Sequence, residues 1–325
     1  MGKRGKELAR ERRQKRLEEI SYLRQVPYPQ NERWWNSDTV AVVTGSSQGI
    51  GYEIAHQLIG HGVHVIITSR DEVKGREILC KLRREGEDGQ TVVNVEFHRL
   101  DVADESSIME FAEWVKVEHC GIDILINNAG VNFNFGSENS VEFAEKVILT
   151  NYVGTKHMIK AMMPLMKPSI HGARILNVSS RLGRVNGRRN RLGDARLREE
   201  LTKPNCLSED LIDTIVNRFV EQVKDGSWSS NQQWPQMFTD YSVSKMAVNL
   251  FTRLMAKEVS DRPEGLKIHI NCYCPGWVKT SMTNWEGNME ACDGADTGVW
   301  IVLGMGLSHP IHNGKFFAER RQISF

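Results

Sequence analysis

From residue 39 onward, short apolar runs rich in β-branched residues alternate with longer helical stretches, and that alternation leaves few folds open. "TVAVVTG", "VHVIITS", "VVNVEFHRLDV", "IDILINNAG", "ARILNVSS" and "KIHINCYCPG" are mostly continuous in apolar content, as strands buried on both faces of a parallel sheet must be. Residues 52–61, 72–85, 104–118 and 138–166 lie between them and read as helices. Strand–helix alternation with right-handed crossovers predicts an α/β doubly wound parallel sheet with helices on both faces. A last short strand is expected at 314–319, in "GKFFAE".

Two regions break the pattern. Residues 1–36 form a charged, helical N-terminal extension whose first 25 residues hold nine Lys/Arg against four Glu. The remainder, 37–325, reads as one α/β domain with a helical insert at 181–238, just before the helix that carries "YSVSK". That insert opens with "RLGRVNGRRNRLGDARLR" and continues into an amphipathic helix over 207–223. Leu211, Ile212, Ile215, Val216, Phe219 and Val223 form its apolar stripe, and Ser208 is the expected N-cap.

The net charge of +1 gives no global case for nucleic acid, and the acidic residues among the basic ones argue for solvated helix faces. No run approaches the length of a membrane span, and the start lacks the apolar segment of a secretory signal. The six cysteines make no CxxC pair and no zinc spacing, so they read as free thiols in a reducing compartment, with the cytoplasm expected and no metal.

The first strand runs into "TGSSQGIG", where Gly45, Gly49 and Gly51 let the backbone turn tightly and approach a pyrophosphate at a helix N-terminus. Ser47, Gln48 and Ile50 complete this loop. The second strand ends at Ser69 and Arg70, where a dinucleotide site selective for NAD commonly has a carboxylate. An arginine fork suits a 2′-phosphate instead, so NADP(H) is the expected cofactor. Asp101 and Val102 follow the third strand, level with an adenine ring. Asn128, Ala129 and Gly130 end the fourth, in the crevice where a nicotinamide nucleotide would lie.

Tyr241 and Lys245 stand four residues apart and share a helix face. A neighbouring ammonium favours a phenolate, so Lys245 is expected to lower the pKa of Tyr241 into the range of a working acid.

Taken together, TGSSQGIG, NNAG, the asparagine of "LTNYVGT", "NVSS", YSVSK and "CPGW" resemble the short-chain dehydrogenases/reductases in identity and order, over about residues 38–325. The long insert and the "PGWV" ending are similar to the carbonyl reductase-like subgroup, and most of all to its plant branch with the menthone and salutaridine reductases. The resemblance implies a Rossmann fold and an NADPH-dependent reduction of a carbonyl to an alcohol. It implies Tyr241 as proton donor, Ser180 on the substrate oxygen, Lys245 on the tyrosine and the ribose, and Asn151 holding a water beside Lys245. Strand alternation points Ser179 away from the crevice. Pro275, Gly276, Val278 and Thr280 are expected over the nicotinamide. Gln48 replaces the basic residue usual in this loop, which leaves Arg70 to hold the phosphate. Phe133, Leu182, Trp234, Met237 and Trp277 flank the motifs, so a bulky hydrophobic carbonyl compound is the expected substrate. The insert helix would cover the surface through which relatives dimerise, predicting a monomer. The rival reading is an inactive NADP-binding regulator that holds a partner with its basic arm.

Overall fold

The computed structural model describes residues 3–85, 94–133, 140–188, 190–203, 205–230, 232–306 and 311–325. The chain begins with helix α1 (Lys3–Gln25) and then enters the alternating pattern with β1 (Val40–Val43), α2 (Gly49–Gly60), β2 (His64–Ser69), α3 (Glu72–Glu85), β3 (Val95–Arg99), α4 (Glu105–His119) and β4 (Ile124–Asn127). It continues through α5 (Val141–Ile148), α6 (Gly154–Met162), β5 (Ala173–Val178), α7 (Ala195–Thr202), α8 (Glu209–Lys224), α9 (Thr239–Glu258) and β6 (Ile268–Tyr273). It ends with α10 (Ala291–Val299), β7 (Phe316–Ala318) and β8 (Arg321–Ile323).

The eight strands form one sheet in the order 3-2-1-4-5-6-7-8, parallel except for the antiparallel edge strand β8. Alternate residues of each strand feed two apolar cores: Val42 and Ile66 face α4, α6 and α9, while Ala41, Val43 and Ile67 face α2, α3 and α10. The side-chain period of two forces this division.

The expected helix over 138–166 is interrupted. A π-turn at Leu149–Val153 separates α5 from α6, and a 3₁₀ turn at Met163–Leu165 closes α6. Expected strand residues 92 and 93 and helix residues 138 and 139 lie outside the described residues. In the insert, α8 begins at Glu209 rather than at 207, because Ser208 Oγ accepts the Leu211 N–H and makes Ser208 the cap, as expected. Its apolar side packs on α5 and α9. Its polar side reaches back through Asp213, which accepts from Tyr152 Oη at 2.6 Å and from Lys156 Nζ at 2.7 Å.

Helix α1 is docked on the body of the protein. Arg24 pairs with Asp293 and Asp296 of α10, and Arg16 donates to the carbonyls of Glu319 and Arg320. Trp34 and Trp35 anchor the linker by donating to the carbonyls of Leu303 and His61. No helix among the described residues is long and apolar enough to cross a membrane.

Candidate active site

Every parallel strand delivers its carboxyl end to one edge of the sheet, and the sequence motifs meet there. The glycine loop and the loop after β4 interlock. Thr44 Oγ1 accepts the N–H groups of Asn128 and Ala129, and Asn128 Nδ2 donates to the carbonyls of Thr44 and Gly45. Gly45 has φ +61°, and a Cβ there would lie 2.8 Å from Ala129 Cα, so the turn and the close approach both require glycine. Gln48 caps α2 by position and places no side chain on the first-turn N–H groups. This cradle fits the pyrophosphate of a dinucleotide.

Arg70 lies exposed beyond β2, as a cation meeting a 2′-phosphate would. Asp71 is occupied otherwise: its carboxylate accepts the Lys74 N–H at 3.0 Å and starts α3. Helix α3 then carries Lys74 back to Gln48, whose Oε1 accepts from Lys74 Nζ. The glycine loop therefore has beside it a cation that the sequence reading missed. Its signal was a lysine one helical turn beyond Arg70. Asp101 Oδ1 caps the turn after β3 by accepting the Ala103 N–H, and Val102 lies buried beside it.

Asn151 sits in the π-turn, a geometry that recurs at functional positions. Its Oδ1 accepts the Val131 N–H at 2.8 Å, and its Nδ2 donates to Val131 O and to Ser244 Oγ, both at 3.0 Å. Ser244 Oγ in turn donates to Tyr241 O at 2.7 Å, so Asn151 ties the loop after β4 to the helix that carries tyrosine. A Cβ on Gly130 would lie 3.2 Å from Asn151 Oδ1 and 3.5 Å from Lys245 Nζ, which puts all three around one point.

Lys245 Nζ donates to Val178 O at 2.8 Å and lies 5.7 Å from the centre of the Tyr241 ring. Ser180 lies near enough to the Tyr241 phenol to favour its ionised form. Ser179 turns the other way, donating to Asn249 Oδ1 at 2.7 Å within the core, as alternation along β5 dictates.

The expected direction of the Tyr241 shift does not hold. Burial pushes the phenol above its ordinary value, Cys274 adds to the rise, and Ser180 opposes it. Lys245 is itself buried, which pulls its ammonium down to about 8. It is largely neutral at a pH where so raised a phenol would ionise, and it then lends little charge. At neutral pH Tyr241 is therefore a protonated donor, with a side chain still partly open to the crevice.

After β6, Gly276 (φ +95°) turns the chain, while Val278 and Thr280 are buried and Trp277 is exposed. Val278 O accepts from Thr283 Oγ1 at 2.6 Å, and Thr280 caps the following turn. A cavity of about 250 Å³ opens between α1 and the Pro275–Gly276 turn, with Leu17, Arg24 and Glu319 among its walls. Neither Tyr241 nor Ser180 lines it.

The expected substrate wall is only partly assembled. Asn190, buried in the insert, donates to Leu182 O, Met237 O and Ser242 Oγ, and so holds Leu182 and Met237 together beside α9. Sequence reading passed over Asn190 because nothing local marks an asparagine in a basic loop. Phe133 stacks on Phe143 with centroids 5.3 Å apart. Trp234 does not belong to the wall. It is 1% exposed, packs edge-on against Phe219 at 5.2 Å and donates from Nε1 to Gln222. Its amphipathic neighbour α8 supplied a better apolar home than the crevice.

A crossed-over parallel sheet with a glycine cradle at one carboxyl end and a Tyr–Lys–Ser–Asn group beside it defines a dinucleotide-binding oxidoreductase class of fold. The chain matches the short chain dehydrogenase family over residues 39–191 and 223–291, and it belongs to that family. It is 35% identical over 304 residues to (+)-neomenthol dehydrogenase of Arabidopsis thaliana, covering 87% of this chain and 97% of that protein. It is 32% identical over 292 residues to carbonyl reductase (NADPH) 1 of Bos taurus, covering 89% of this chain and 99% of that one. Among solved structures, salutaridine reductase from Papaver somniferum superposes with a TM-score of 0.72 at 30% identity, covering 86% of this chain and 99% of that chain.

Proposed function

We propose that this protein reduces the carbonyl group of a hydrophobic small molecule to an alcohol, using NADPH and Tyr241 as the proton donor. The observation that carries the reading is the convergence of Tyr241, Ser180, Lys245 and Asn151 beside the glycine cradle. When bound, the nicotinamide nucleotide supplies the hydride. Arg70 and Lys74 would hold its 2′-phosphate, and the turn from Pro275 to Thr280 would hold its nicotinamide end. Ser180 donates to the carbonyl oxygen and fixes the substrate's orientation. Tyr241 transfers its proton to that oxygen as negative charge develops there. Cationic Lys245 stabilises the phenolate that remains, and Asn151 holds the chain around Gly130 so that a water can reach Lys245. Leu182, Met237, Phe133 and Trp277 give the substrate a mostly apolar seat. The names of the neomenthol dehydrogenase and carbonyl reductase relatives support this substrate class.

The rival reading, an inactive cofactor-binding regulator with a free basic arm, has less support. Arg13, Arg16 and Arg24 of α1 are engaged with acidic and carbonyl groups of the same chain. We further assign the 37–325 segment to one catalytic domain, with 181–238 as its insert. Six free cysteines support a cytoplasmic setting. The chain is a monomer in this reading, because α8 covers α5 and α9. Light scattering at two concentrations should return the 37.0 kDa of one chain, and twice that mass would refute it.

The deciding assay follows NADPH oxidation against a panel of hydrophobic ketones, aldehydes and enones, with products identified. Alcohol formation from the carbonyls is expected. NADPH binding without turnover of any member, or a preference for small charged keto acids, would overturn the reading.

A further inference from the structure

At the opposite end of the sheet, three metal-binding side chains converge from three separate elements. His64 opens β2, Glu96 is the second residue of β3, and His119 ends α4. Parallel register pairs Ile66 with Glu96, so alternation puts His64, Ile66 and Glu96 on the face that α4 covers. Helix α4 runs antiparallel to the strands and therefore brings its last residue to the same amino-terminal edge.

The donor geometry is compact. His64 Nε2 lies 2.8 Å from Glu96 Oε1, His119 Nε2 lies 3.7 Å from Glu96 Oε2, and one donor atom from each residue falls within 4.8 Å of the others. In a tetrahedral zinc site with bonds near 2.0–2.1 Å, neighbouring donors are about 3.4 Å apart, so small side-chain rotations complete the set. Both Nε2 atoms are buried and lack a hydrogen bond of acceptable geometry. The His119 side chain is only 8% exposed and that of His64 12%, so two polar atoms have been taken from water and aimed at one carboxylate. Native folds seldom leave such groups unsatisfied.

A simple His–Glu ion pair is the competing explanation, and His119 argues against it. Its Nε2 stays 3.7 Å from Glu96 Oε2, beyond hydrogen-bond reach, so no hydrogen-bonded ion pair accounts for the burial of that atom. One carboxylate facing two imidazole nitrogens that it cannot both satisfy suits a divalent metal better than a simple pair. The rings are held in place: the His64 and His119 centroids are 5.3 Å apart, and Trp114 meets His119 edge-on at 5.0 Å. Glu96, 39% exposed, leaves the group a path from solvent. Lys167 is the opposing charge, and Asp123 lies 3.9 Å from its ammonium.

We infer that His64, Glu96 and His119 bind a divalent transition metal of the zinc class, which cross-links β2, β3 and α4 at the edge remote from the catalytic crevice. The three ligands are far apart in sequence, which is why spacing rules found no metal site. The inference does not depend on the proposed reductase activity.

The test uses the untagged full chain, stripped with chelator, loaded with Zn²⁺ and dialysed, and the bound metal is then counted. About one equivalent per chain is expected for the wild type and for Cys120→Ser, which removes the nearest thiol in sequence. His119→Gln and Glu96→Gln should each weaken binding at least about 100-fold, beyond the ~10- to 100-fold cost of losing an outer-shell partner. Substitution with Co²⁺ reports directly on the wild type, so the result survives if a variant misfolds. Weak visible bands without thiolate charge transfer are expected. No retained zinc, an equivalent that persists in both variants, or a thiolate band would each overturn the assignment.

Discussion

Helices α9 and α1 both border the catalytic edge of the sheet, yet they are held there by different physics. Helix α9 is buried along nearly its whole length, and its polar side chains find partners inside the fold. Lys245 reaches Val178 O, Asn249 joins Ser179 to Gly183 O, and Thr252 accepts from Asn177. Helix α1 is mostly exposed, buries Ile20, and is fastened by arginines to Glu319, Asp293 and Asp296. Close packing fixes a side chain to fractions of an ångström, whereas half-exposed ion pairs hold an element loosely and weaken with salt. A chain that needs a phenol in one place puts it on a helix of the first kind.

The sharpest test of the contrast removes one oxygen atom from α9. Tyr241→Phe should lower kcat by roughly 10²- to 10⁴-fold, the usual worth of a positioned proton donor, while NADPH titration changes little. Wild-type turnover in this variant would mean that α9 does not carry the acid.

A second test uses pH. Burial has pulled Lys245 to about 8, below its ordinary value of 10.5. Its cationic form, which in the proposed mechanism stabilises the phenolate, is therefore lost as pH rises through about 8, and carbonyl reduction should fall on that limb. Stability runs the other way. Between about 8 and 10.5 the unfolded chain binds the extra proton, so the burial penalty on Lys245 shrinks as pH rises. Lys245→Arg keeps its charge throughout and should abolish the limb near 8 in a kcat/KM profile. A limb that stays in place would belong to another group.

The proposed phosphate corner lies between these extremes, because Arg70 is exposed and Lys74 half-buried, yet in that reading both meet one ligand group. Arg70→Asp should weaken NADPH about 10- to 100-fold relative to NADH, the scale of a lost charge-assisted bond with added repulsion. Lys74→Glu should act in the same direction and more weakly. Equal losses for both nucleotides in binding titrations would remove the two residues from 2′-phosphate recognition.

What was legible in the sequence follows the same division. Continuous apolar runs marked the seven parallel strands, and Ser208 announced α8, since caps and buried strands are written in local chemistry. The π-turn at 149–153 was hidden, because apolar spacing carries on through it. Strand β8, "RQI", has too little apolar alternation to declare itself. Of the site, the glycine loop and the Tyr–Lys pair were plain, being contiguous. Lys74 on Gln48, Asn190 on Met237 and the burial of Trp234 depend on how distant segments meet. The Tyr241 shift was misread for a related reason: spacing reveals a neighbouring charge, but only the fold reveals how far both groups are desolvated.

The smallest effect is expected where α1 grips the body. Arg24 bonds Asp293 at 2.8 Å and Asp296 at 3.3 Å, but Arg320 also holds Asp296 through two bonds of 2.6 and 2.9 Å. Arg24→Ala therefore leaves the buried Asp296 carboxylate paired and removes only a partly exposed contact. The cost should be about 0.5–1 kcal/mol, within the range of surface ion pairs. In a chain of this size that is a fall of roughly 1–3 °C in Tm. Because the lost contact is electrostatic and half-exposed, the gap between wild type and variant should narrow in 1 M salt, where the screening length drops to about 3 Å. Carbonyl turnover should be unchanged, since among the described residues no hydrogen bond or ion pair of Tyr241, Ser180 or Lys245 comes from α1. A drop well beyond 5 °C, or one that salt leaves untouched, would mean that α1 is packed as α9 is, and the contrast between the two helices would fail.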